Sequence, residues 1–324
     1  MAVVWTCALV LASCSATRSV DEVLERTEPA PVEQGSSAPL PEAAPTAAPS
    51  ESSEVDGTEA PPLAPAEVLA PVDPGELARL AGQRLKDSTD ACTSLLPRAR
   101  AEDASYEDLM AASRALILNA DLRLQSTLAL QARSGPTPPP EVLIDLEDDV
   151  SAELKSEIRS LATGSAGFAK RALALRPGDP AAELFSTLGT GLRLWSLPTL
   201  QALASGAATT LPGQIKRLAA AAPDFEGASP LRLKGRFQSR APWPFKDLEE
   251  GRDTLAAAVD AAPIPLNLLF LGDAYWLCGE EDSARDRWRQ ATSAPADAET
   301  EGAAPFIRAI ASRRLESAAL ASGR

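Results

Sequence analysis

The chain has 324 residues, 28 of them Pro and none of them His, with a formal net charge of −14. Without His there is no Ser-His-Asp triad, no His-paired thiol and no His-bearing zinc site. Aromatics make up 4% of the residues against 45% hydrophobic overall. That balance favours closely packed, Ala-rich helices over sheet.

In chain order, residues 2–13 form an apolar run of signal-peptide length, too short to cross a bilayer as a helix. It ends at Leu11-Ala12-Ser13-Cys14, which resembles a bacterial lipobox. The resemblance implies cleavage before Cys14 and acylation of its thiol and new amine, giving a membrane anchor. Residues 15–74 carry 12 Asp/Glu and 2 Arg among Pro, Ala and Ser, as in Pro39-Leu40-Pro41-Glu42-Ala43-Ala44-Pro45. Such a segment buries too little apolar surface to offset its ordering entropy, so 14–74 is expected to be the lipidated Cys and a disordered acidic Pro-rich linker. It holds most of the acidity: residues 75–324 have 33 acidic and 29 basic side chains. They show no basic stripe, which argues against a nucleic-acid partner.

Residues 75–324 are expected to form one all-α domain. Apolar periodicity between Pro, Gly and Asp breakers predicts helices over roughly 75–96, 105–133, 149–176, 181–196, 198–222, 229–240, 246–261, 265–278, 281–293 and 302–321. Ser105-Tyr106-Glu107-Asp108 has the pattern of a capped helix start. Pro136, Pro138, Pro139 and Pro140 mark a long loop. Asp145, Glu147, Asp148 and Asp149 follow it and read as solvated acids leading into a helix amino terminus, where they suit the dipole. Gly164 to Lys170 lacks the spacing of a phosphate loop.

The clearest repeat runs from Leu268 to Pro295: Leu268-x₂-Leu271-Gly272-x₂-Tyr275, Gly279, then Ala284-x₃-Trp288-x₂-Ala291 and Pro295. It resembles a tetratricopeptide repeat. At 100° per residue Leu268, Leu271, Gly272 and Tyr275 share one helix face. Gly251-x₃-Leu255-x₂-Ala258-x₄-Pro263 and Phe168-x₃-Ala172-x₄-Pro177 look like degraded second helices, and Phe185-x₂-Leu188-Gly189 like another first helix. The fold expected is a tetratricopeptide-like superhelix of helical hairpins behind the tether. Leu266, Leu269, Asp273, Trp276 and Leu277 fall on the other face of the first helix, which lines the concave groove of such superhelices. The matching positions in the earlier opening are Glu183, Ser186, Thr190, Arg193 and Leu194. These ten residues are the candidate partner-binding surface, although Trp276 suits packing on an adjacent helix equally well. Trp243, between two prolines, reads as a loop anchor, and Cys92 and Cys278 as either a disulfide or two buried thiols.

The order of the segments is also informative. Phe168 to Pro177, Leu218 to Pro223, Gly227-Ala228-Ser229-Pro230-Leu231-Arg232-Leu233-Lys234-Gly235-Arg236, the Ala241-Pro242 loop and the closing hairpin follow one another. Together they resemble the T-component lipoproteins of tripartite ATP-independent periplasmic transporters. The resemblance implies a non-catalytic, lipid-anchored protein facing the periplasm from the bacterial outer membrane, with no cofactor. It implies an accessory role for a periplasmic solute-binding protein and a hydrophobic small ligand. Family members can form trimers, which makes a homo-oligomer an open expectation. A second expectation of a different class is a general envelope scaffold for protein–protein interaction with no small ligand.

Overall fold

The computed structural model describes residues 73–205, 209–241, 245–298 and 300–322. Cys14, the acidic linker up to residue 72 and Trp243 lie outside the described residues, while Asp73 and Pro74, expected to be linker, cap and open the first helix. The described chain is all-α, with no strand. Its helices are α1 (Pro74–Arg100), α2 (Tyr106–Arg133), α3 (Pro140–Asp145), α4 (Ala152–Leu175), α5 (Pro180–Trp195), α6 (Thr199–Ala204), α7 (Leu211–Ala221), α8 (Phe225–Arg240), α9 (Leu248–Ala261), α10 (Pro265–Leu277), α11 (Glu281–Ser293) and α12 (Ala304–Ser322). A 3₁₀ turn, Leu146–Asp149, continues α3.

Local chemistry explains where these helices start. Asp73, Ser105, Ser151, Asp179 and Asp247 each accept a bond from a backbone N–H of the first turn, satisfying a donor that the helix itself leaves open. The expected single helix over 198–222 is instead α6 and α7. Pro212 stands in the first turn of α7, the place where its missing N–H costs nothing, whereas inside one long helix it would have broken the ladder. The long loop expected at Pro136–Pro140 leads at Pro140 into the single turn-and-a-half of α3.

Paired helices interlock through glycine. A Cβ on Gly272 of α10 would stand 2.4 Å from Trp288 Cδ1 of α11, and one on Gly235 of α8 would stand 2.6 Å from Leu255 Cγ of α9. The two hairpins thus use the same device: a glycine in the first helix receives the large side chain of the second. Gly189 of α5 likewise lies against the backbone of Ala162 and Ala166 in α4. The stretch from Gly164 to Gly167 is therefore helix interior and packing platform, as its poor match to a phosphate loop implied.

The chain of hairpins closes on itself. Neighbours pack in the order α1, α2, α4, α5, α7, α8, α9, α10, α11, α12, and α12 then packs back on α2. The closure is polar as well as apolar: Arg133 of α2 pairs with Glu316 at 2.7 Å, and Arg313 Nε donates to the Ala132 carbonyl at 2.8 Å. Phe306, Ile307 and Ile310 of α12 join Leu122 and Ala129 of α2 in one core with α10 and α11. A second core holds α1, α2 and α4 together around Leu109, Leu116, Ile158 and Leu161.

The start of α8 is strained. Glu226, Gly227 and Ala228 have φ of 43°, 61° and 57°, the left-handed region that costs a residue with a Cβ about 1–2 kcal/mol. Asn267 holds this turn, donating through its amide nitrogen to the carbonyls of Gly227, Ala258 and Ala262. The result is that α8 leaves the turn with Arg236 and Arg240 aimed at the 3₁₀ turn after α3.

Candidate inner binding face

In register, the residue after each interlocking glycine is Arg236 in α8 and Asp273 in α10. The two are an ion pair, Arg236 Nη1 to Asp273 Oδ2 at 3.4 Å. Asp273 is completely buried and also accepts from Trp288 Nε1 at 3.1 Å and from Arg314 of α12. Burial pushes its carboxyl above the usual carboxylate range, against the pull of Arg314 and Arg236.

The inner face of α8 and α10 is covered by the chain's own residues Pro139 to Asp149, which act as a strap. Glu147 Oε1 accepts from Arg236 Nη2 at 2.7 Å and from Arg240 Nε at 3.2 Å. Burial alone would raise the Glu147 carboxyl, but Arg236 and Arg240 outweigh it and hold it below its ordinary value. Arg240 also reaches Asp145 and Asp148. At the other end Trp276 Nε1 donates to Glu141 Oε1 at 2.7 Å. Leu143 and Ile144 are buried between these polar ends. The acids expected to be solvated are therefore divided: Asp145, Asp148 and Asp149 are exposed as expected, whereas Glu147 is not, and Asp145, Glu147 and Asp148 are bonded to arginines from a segment some ninety residues away.

This changes the picture of the ten candidate residues. In α10, Leu266, Leu269, Asp273 and Trp276 are buried and Leu277 is half-buried. Tyr275 does pack against the core, as expected of the repeat's packing face, but is only half-buried. Its neighbour Trp276 stacks at 5.5 Å on Trp288, so of its two expected placements the packed one holds. The reason is the strap: it supplies a carboxylate for the indole N–H and closes the face that the repeat would otherwise leave open. In α5, Glu183, Thr190 and Arg193 are half-buried and Ser186 is buried. Leu194 is buried in a cluster with Leu211 and Ile215 of α7.

A crevice of about 20 Å³ remains beside the strap, lined in part by Gln125, Phe270, Arg236 and Arg314. That is room for about one water molecule. The arginines of this face were not among the sequence candidates. Placing Gly235 in register with Gly272 is the signal that finds Arg236, since it puts that residue at the level of Asp273.

Cys92 and Cys278 are unpaired thiols; burial pushes the Cys92 thiol up to about 11. No protein-family model and no curated protein matches the chain. The class defined by fold and face is an all-α protein of interlocking helical hairpins closed into a circuit, with a charged inner wall.

Proposed function

We propose that this is a non-catalytic, lipid-anchored protein of the bacterial envelope that docks a protein partner on the inner face of its hairpin domain. Its anchor would be Cys14, and the acidic Pro-rich segment a spacer that holds the domain away from the bilayer. The observation that carries the reading is the inner wall itself. Its charged groups, Arg236, Arg240, Arg314 and Asp273, are arranged along consecutive hairpins. Arg236 and Arg314 pair through Asp273, and the three arginines already engage a peptide segment. Walls of this kind suit polypeptide side chains and carbonyls.

The crevice beside the strap has space for a water and not for a hydrophobic molecule, which supports protein docking over a small apolar ligand. The resemblance to transporter T-components supports a periplasmic solute-binding protein as the partner. A general envelope scaffold is the second reading, favoured by the same small size of the crevice beside the strap. Affinity capture of the full chain from detergent-solubilised membranes, with mass spectrometry of the bound proteins and small molecules, separates the two. A solute-binding protein recovered with the wild type, in the membrane fraction for the wild type and in the soluble fraction for Cys14→Ala, is the expected result. Recovery of many unrelated envelope proteins in equal amount would favour the scaffold. A Cys14→Ala chain that still sediments with membranes would refute the anchor.

A further inference from the structure

The strap meets the inner wall through three kinds of contact at once. Leu143 and Ile144 are apolar anchors, 2% and 1% exposed. Glu147 is held by two guanidinium groups. Carbonyls of the strap and of the residue just before it are bonded by α12: Ser317 Oγ donates to Pro138, and Arg314 Nη2 to Leu143 at 3.5 Å. Apolar anchors, charge-assisted carboxylate bonds and carbonyl bonds are the means by which a helical groove recognises a short peptide.

The same strap is lightly built. Its helix has six residues and no side-chain cap, and prolines precede it. Val142 is 47% exposed, and the side chains of Asp145 and Asp148 are more than half exposed. Ion pairs of that exposure contribute little to stability and weaken with salt. A segment with good chemical complementarity and a weak hold can be exchanged for a better one.

We propose that the inner wall of α8, α10 and α12 is a peptide-recognition surface and that Pro139–Asp149 is its resident intramolecular ligand. The partner segment that displaces it has the same chemistry: two adjacent aliphatic side chains followed, within four residues, by carboxylates that reach Arg236 and Arg240. This rests on the reading that the inner face docks a protein, and it adds the chemistry of the docked segment.

The test uses the full chain, a fluorescent peptide copying residues 138–150, and a control peptide in which its Asp145, Glu147 and Asp148 are amidated. In anisotropy titrations the triple variant Asp145→Asn/Glu147→Gln/Asp148→Asn, whose own strap is loosened, should bind the acidic peptide about tenfold or more tighter than wild type. It should ignore the amidated peptide and lose binding when Arg240→Ala is added. A triple variant of native helicity that binds neither peptide, or both equally, overturns the proposal. Should the triple variant not fold, hydrogen exchange of the wild type decides. A displaceable strap exchanges its amides about tenfold or more faster than the interior of α10, and faster still in high salt. Exchange of strap and α10 at one common rate overturns the proposal. A partner that crosslinks to the inner face of a chain whose strap never opens would sink this inference alone. The docking reading falls only if inner-face crosslinks are absent.

Discussion

Gly272→Ala tests the interlocking of hairpins at its tightest point. The added methyl would stand 2.4 Å from Trp288 Cδ1 and 2.5 Å from Nε1, well inside contact distance. The indole cannot swing away, because it is completely buried, bonded to Asp273 at 3.1 Å and stacked on Trp276. Relief must come from separating α10 and α11, an overpacking cost of about 1–3 kcal/mol. Replacing a helical Gly by Ala returns at most about 1 kcal/mol. With that return in full, the net expectation is a loss of up to about 2 kcal/mol, or a Tm lowered by up to about 8 °C for a domain of this size. Gly167 of α4 is the control: it is exposed and a Cβ there meets nothing within 4 Å. Gly167→Ala should raise Tm by about 2–4 °C through helix propensity alone. Thermal melts followed by circular dichroism read both. If Gly272→Ala melts at or above the wild type, the glycine is not making room for Trp288 and the interlocking account is wrong.

Three further outcomes follow from the inner face and the thiols. Glu147→Gln should cost about 1.5–3 kcal/mol at pH 7, as expected for hydrogen bonds to charged groups. Arg236 and Arg240 hold the folded carboxyl below its ordinary value, so this gap is fully present above about pH 4.5 and closes as pH falls through the lowered value; urea titrations at pH 7 and pH 3 that show the same gap would contradict it. Trp276→Ala should cost about 3–5 kcal/mol and exceed Tyr275→Ala, since Trp276 is the more deeply buried; the opposite order in denaturant melts would return Trp276 to an open wall. Iodoacetamide at pH 8 should alkylate half-buried Cys278 well before Cys92, whose thiol is buried and raised to about 11; peptide mapping that finds Cys92 modified first would show that its end of the bundle opens.

Much of the helical scaffold was legible because its signals are local. The Ser105 cap and the pattern Leu268-x₂-Leu271-Gly272 lie within one or two turns of the residues they act on, and α2, α10 and α11 fall where periodicity put them. Pro212 was an equally local signal for the break between α6 and α7 that periodicity alone passed over. The strap was not legible in the same way. Six helical residues span less than two turns, too few to show a period. What fixes them is Glu147 meeting Arg236 across 89 residues of sequence and Glu141 meeting Trp276 across 135. Such pairings depend on the circuit being closed, which rests on α12 returning to α2. The candidate residues of α10 other than Leu277 are buried against the strap and the neighbouring helices, and that covering was invisible in the sequence.

The central claim is that a protein partner docks on the inner face, and site-specific photo-crosslinking in native membranes tests it most directly. A photoreactive residue would replace half-buried Phe270 of α10, which lines the crevice on the inner face, or exposed Lys170 of α4 as the control. One dominant crosslinked envelope protein from position 270, with little or none from position 170, is the predicted result. Equal labelling from both positions, or a partner captured from position 170 alone, would contradict it.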